Sequence, residues 1–177
     1  MESKARILGH SLHQILIVFP LGLTTSSIGF DIMGYVTRDG RWCSVAYYLI
    51  IAGCIGGVVA AVAGLIDYWA IPAGTRAKRV AQFHGISSFL ALLCFAMSGF
   101  ARAADPAHVH LNALALSLFG GAIIGLAGWL GGELVTRMGV GVADDAHLDA
   151  EGTRLFGHGP DRAPDHVIPR NPAKSTR

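Results

Sequence analysis

Four stretches of this chain contain no Asp, Glu, Lys or Arg: Ile7 to Phe30, Trp42 to Ile66, Val80 to Ala101 and His108 to Gly132. Each is 22 to 25 residues long. A helix rises ~1.5 Å per residue, so about 20 apolar residues cross the hydrocarbon core of a bilayer. All four stretches meet that length. In lipid the backbone must satisfy its own polar groups, which makes each stretch a helix. Only 15% of the 177 residues are charged, where a soluble domain carries about 25%. That deficit, placed in four blocks, excludes a soluble enzyme, a nucleic-acid binder and a secreted disulfide scaffold. The expectation is an all-α, four-helix transmembrane bundle with spans about 10–33, 43–66, 79–101 and 110–133, inside a domain of residues 1–141.

The connections are short, so neighbouring helices are antiparallel. Lys and Arg set the orientation. Lys4 and Arg6, then Arg76, Lys78 and Arg79, then Arg137 and five further basic residues fall on one side. Arg38, Arg41 and Arg102 fall on the other. Eleven against three places both termini in the cytoplasm by the positive-inside rule. The expected location is a bacterial cytoplasmic (inner) membrane, crossed several times. The first run is too long for a signal-peptide core and lacks a cleavage pattern, so it reads as a retained helix. Cys43, Cys54 and Cys94 have no metal or disulfide spacing. From Val142 to Arg177 there are six acidic and five basic residues and no apolar periodicity. This segment, 142–177, reads as a polar, mostly disordered cytoplasmic tail.

Glycine and other small residues recur at spacings of three and four, as in Gly53, Gly57, Ala60 and Gly64, and in Gly121, Gly125, Gly128 and Gly132. Such faces let helix backbones approach closely in lipid. They also suit contact with a second copy or with another membrane subunit.

Ionisable residues inside spans are costly and point to function. His10 and His13 lie at the inner end of the first helix, three residues apart. Asp67 closes the second, His84 opens the third and Glu133 closes the fourth. Together they form one inner-leaflet layer. Asp31, His108 and His110 lie at the outer side. Helices one and three are diagonal in a four-helix bundle, with axes on the order of 11–14 Å apart. Histidines facing across that gap would clamp a planar macrocycle on its two axial sides. His13 and His84 are therefore candidate axial ligands of a b-type haem, with His10 as an alternative or orienting group. Arg6, Arg76 and Arg79 stand at the same end and would pair with propionates. Two other readings use the same layer. His10, His13 and His84 with Asp67 or Glu133 would bind zinc or iron. The histidines would equally serve as a proton relay. A non-catalytic membrane subunit or scaffold of a larger complex is the reading from a different class. No catalytic motif is present, and a stand-alone enzyme is not expected.

Three segments carry a family resemblance: GHSLHQILIVFP (Gly9 to Pro20), GLIDYWAIPAGTRAKRVAQFHG (Gly64 to Gly85) and GGELVTRMGVGV (Gly131 to Val142). They resemble an uncharacterised bacterial family of predicted four-helix membrane proteins, a domain of unknown function. Its members look like GHPLHP…FP at the first helix and LGGxLVxxxGVGV after the last. The resemblance covers nearly everything up to Val142, and His10, His13 and His84 match motif positions. Some relatives are joined to, or encoded beside, Rieske-type iron–sulfur domains. The resemblance therefore implies a redox setting, with redox proteins or other membrane subunits as partners beside the lipid bilayer. This chain departs from the pattern at Gln14, where relatives have Pro, and at Val18, where relatives often have His.

Overall fold

The computed structural model describes residues 1–108, 110–144 and 146–147. The unit from Met1 to Asp144 contains two short strands, β1 (Arg6–Ile7) and β2 (His10–Ser11), followed by five helices. These are α1 (Leu12–Leu16), α2 (Val18–Thr37), α3 (Gly40–Ala70), α4 (Arg76–Arg102) and α5 (Leu111–Thr136). Leu12–Thr37, α3, α4 and α5 are each long and apolar enough to cross a membrane. The tail expected beyond Val142 lies, from residue 145 on and apart from 146–147, outside the described residues.

Local chemistry sets the helix limits. Pro20 has no N–H to give the Leu16 carbonyl, and its ring crowds that carbonyl. The first span accordingly breaks at Ile17, between α1 and α2. The Ile17 N–H still reaches His13 O at 3.0 Å, and the Leu21 N–H reaches Ile17 O at 3.1 Å, so one rod continues through the kink. Asp39 caps α3 by accepting the Arg41 N–H, and the Arg41 guanidinium closes on the same carboxylate. That guanidinium, with the N–H, holds the Asp39 carboxyl below its ordinary range. At the far end α3 stops at Ala70; Ile71 precedes Pro72 and is extended, as a residue before proline prefers. Thr75 caps α4 through the Lys78 N–H. Lys78 in turn donates to the Tyr68 carbonyl at 2.6 Å and lies over the Tyr68 ring, tying the start of α4 to the end of α3.

The connections span only residues 38–39, 71–75 and 103–110. Successive spans are therefore antiparallel, and both ends of this unit lie at one face. α2 packs most closely on α3, and α4 on α5. Contacts between those two hairpins, α3 with α4 and α2 with α5, are sparser. α2 and α4 occupy diagonal positions, as the sequence predicts. The buried side is small: Ala46, Ala60, Ala91, Ala113 and Ala127 with Gly53 and Gly120, filled by Ile50 and Phe95. Large residues such as Val58, Phe89, Phe100, Phe119 and Trp129 face outward. In water that surface would be a liability. In lipid it is the expected face, and small residues take the helix contacts.

Candidate functional site

His13 sits in α1, one turn before the Pro20 kink, and His84 lies two turns into α4. Their ring centroids are 6.2 Å apart and the rings are nearly perpendicular, at 88°. Each ring is tied to the other helix of its own hairpin. His13 Nδ1 is 2.8 Å from the Ala60 carbonyl on α3, and His84 Nδ1 is 2.8 Å from the Ala127 carbonyl on α5. A carbonyl only accepts, so Nδ1 carries the proton in both rings. When a ring is neutral, its Nε2 then carries the lone pair. Among the described residues neither Nε2 has a partner, and no hydrogen bond joins the two rings. Glycines make the approach possible. A Cβ on Gly64 would stand 2.8 Å from His13 Nδ1, and one on Gly131 would stand 3.2 Å from His84 Cε1.

The other residues of the expected layer are elsewhere employed. His10 is not on a helix with His13. It is exposed in β2, and its Nδ1 is 3.0 Å from Leu8 O. Leu8 and Gly9 both have positive φ, the tight turn that closes a two-residue hairpin, and this turn delays the helix to Leu12. Asp67 is 9% exposed. It takes Ser3 Oγ at 2.7 Å and the backbone N–H groups of Lys4 at 2.7 Å and Ala5 at 3.2 Å. Its role is to anchor the segment before β1. Glu133 pairs with Arg137 one turn later. Among the described residues no three His, Cys, Asp or Glu side chains converge on one point. Arg6 pairs with Glu2, while Arg76 and Arg79 lie exposed on the first turn of α4. On the opposite side, the His108 and His110 rings meet at 5.1 Å in the α4–α5 connection.

A second cluster was only half visible in the sequence. Asp31 stands out there, but Arg102 counts as a connection residue. In the structure Arg102 ends α4 and is 3% exposed, Asp31 is 5% exposed, and Arg102 Nη1 donates to Asp31 Oδ1. Arg102 Nη2 also donates to Ser98 Oγ at 2.8 Å, and Ser98 Oγ lies 2.8 Å from Ser117 Oγ. Asp31 Oδ2 is buried and unpaired among the described residues. The available signal was opposite charge at matching depth on diagonal helices. Cys43, beside this pair, packs its Sγ against Gly34.

The family model of predicted membrane proteins (DUF2231) matches residues 9–144. The chain belongs to this family. The matched stretch takes in His10, His13, His84, the Asp31–Arg102 pair and all four spans. No curated protein and no solved structure matches the chain. The geometry accounts for the GVGV segment by which the family resemblance is read. Gly139 (φ 64°) and Gly141 (φ 78°) adopt left-handed conformations that favour glycine. Gly139 ends the last helical turn, and the Val140 N–H reaches back to Leu134 O at 2.9 Å. A Cβ on Gly141 would stand 2.7 Å from Gln14 Nε2.

Proposed function

We propose that this membrane protein holds a haem iron between His13 and His84 and serves as a b-type electron carrier. The single observation that carries the reading is the His13–His84 pair, with both Nδ1 atoms committed to carbonyls and both Nε2 atoms left over. Metal-binding histidines characteristically give their second nitrogen to a backbone carbonyl or carboxylate. The ring centroids are 6.2 Å apart, so a metal held by one ring would lie beside the other. Arg76 and Arg79 are exposed at the same end and suit carboxylate partners. When bound, the iron would supply one-electron chemistry. The chain's part is to fix both tautomers, to hold the two rings apart and to keep the pair between the hairpins.

The zinc or iron site of five residues has less support, because Asp67, Glu133 and His10 do not converge with the pair. A subunit role has one specific observation behind it. A Cβ at Gly22, Gly29 or Gly125 would meet no atom within 4 Å, so each leaves a shallow surface for another helix. The basic residues, eleven against three, support a cytoplasmic location for the His13–His84 end in a bacterial inner membrane.

A reduced-minus-oxidised absorption spectrum of detergent-purified protein, expressed with haem supply, tests the proposal. A low-spin haem signal is expected, lost in His13→Ala and in His84→Ala and kept in His108→Ala. Protein that purifies without any haem signal overturns it. Stoichiometric zinc or iron without that signal would transfer the pair to the metal reading.

A further inference from the structure

The two hairpins share a spacing of buried positions. The spacing between Asp31 and Arg102 is 71 positions. The same spacing relates His13 to His84, Pro20 to Ala91, Thr24 to Phe95 and Ser27 to Ser98. Apart from the half-buried histidines, all of these are buried. On the partner helices a spacing of 67 relates Ala46 to Ala113, Ile50 to Ser117, Gly53 to Gly120, Ala60 to Ala127 and Asp67 to Leu134. Every one of those ten residues is buried.

The contacts repeat as well as the positions. His13 meets the Ala60 carbonyl and lies over Gly64; His84 meets the Ala127 carbonyl and lies over Gly131. Leu23 and Thr24 close on Gly53; Cys94 and Phe95 close on Gly120. The hairpins differ at the end away from the histidines. There the first hairpin is four residues longer between its marks, about one helical turn.

A residue that touches its own equivalent lies on a two-fold axis, because only there does the rotation bring the two copies together. Among the described residues two such contacts are seen. His13 meets His84 at one level, and Asp31 meets Arg102 at another, 18 residues further along the same helices. Two points fix a line. It runs along the bundle, through the seam between hairpins, in the sense of a parallel repeat about the membrane normal.

We propose that the chain is a tandem duplication of one helical hairpin, a two-fold dimer fused into a single chain, and that Asp31 and Arg102 are one ancestral position diverged to opposite charge so that the halves bind each other. The local surroundings agree. Arg102 is braced by Ser98, four residues earlier, through its hydroxyl and carbonyl. Asp31 has Ser27 at the same offset, so an arginine at position 31 finds the same brace. Identical charges facing on the axis would repel, and divergence to Asp and Arg removes that repulsion. The histidines have not diverged. Resting on the reading of that pair as a clamp, the axis implies a ligand met by the same imidazole on both sides.

The test exchanges the charges. Asp31→Arg alone and Arg102→Asp alone should each lower the melting temperature of the detergent-purified chain. The double exchange, Asp31→Arg with Arg102→Asp, should recover at least half of the loss. A double exchange that melts no higher than the single variants, or fails to accumulate as they do, overturns the proposal. A second measurement avoids the charges. With the native cysteines replaced, Ser27→Cys with Ser98→Cys should form an intramolecular disulfide on mild oxidation, and Ser27→Cys with Met97→Cys should not. Equal cross-linking of the two pairs, or none at 27 and 98, also overturns it. Both readouts are independent of haem, so failure of the haem spectrum leaves this inference standing and the reverse holds too.

Discussion

The two ends of the seam between hairpins use the same positions for opposite purposes. At one end Asp31 and Arg102 pair with each other, since a carboxylate meets a guanidinium and the charges cancel. At the other end His13 and His84 do not complete each other. Both rings are anchored through Nδ1, and in both the other ring nitrogen is left without a partner among the described residues. A complementary pair closes a structure; a pair of like bases needs a third component. The difference separates a residue pair that holds the fold from one that is available for chemistry, and each variant below should move one end and spare the other.

The largest effect belongs to the ion pair. Removing one partner strands a buried charge, so Asp31→Ala or Arg102→Ala should cost about 3–5 kcal/mol. Asp31→Leu combined with Arg102→Met should be far milder, because an apolar pair carries no desolvation penalty. Thermal melting in detergent or bicelles reads both. The comparison breaks if the single and double variants melt alike. Next come the glycines beneath the histidines. A methyl at Gly64 would stand 2.8 Å from His13 Nδ1, and one at Gly131 would stand 3.2 Å from His84 Cε1. Gly64→Ala should therefore cost more than Gly131→Ala, within the ~1–3 kcal/mol of a crowded core. Both should weaken any ligand signal by turning a ring, and a ligand titration beside the melt separates the two effects.

At the histidine end stability should hardly register the change. His84→Ala removes one hydrogen bond to a carbonyl that α5 already uses, a loss of about 1 kcal/mol. The same substitution should abolish the haem spectrum. If His84→Ala instead destabilised the chain as strongly as Arg102→Ala, the two ends would be alike and the pair would be a structural fastening.

Much of this was legible in the chain and some was not, for definable reasons. Four charge-free runs give four spans because lipid forbids unpaired backbone and most charge. The His13–His84 pairing follows from depth and from the diagonal placement of parallel helices. His10 differs because it belongs to β2, after the turn that Leu8 and Gly9 close with positive φ, so a helical offset of three does not relate it to His13 in α1. Asp67 sits at the expected depth, but its partners are backbone N–H groups of Lys4 and Ala5, which leave no side-chain signature. Arg102 ends its helix, and only the fold turns it inward. The repeat is hidden because it conserves burial more than identity or size; Phe95 answers to Thr24, and Leu134 to Asp67.

The smallest expected effect is the most discriminating between ligand assignments. His10→Ala changes an exposed residue of a two-residue strand, so its stability cost should stay within about 0.5 kcal/mol. His10 and His13 are three apart in sequence and indistinguishable there as ligands. In the structure only His13 faces His84, and the His10 ring leans on its own hairpin through Leu8 O. Normal melting and an unchanged haem spectrum in His10→Ala, set against loss of the spectrum in His13→Ala, would locate the site on the seam. A spectrum lost in His10→Ala with melting intact would move the ligand to the surface hairpin. It would also detach the chemistry from the two-fold axis, since position 81, the counterpart of His10, is an alanine.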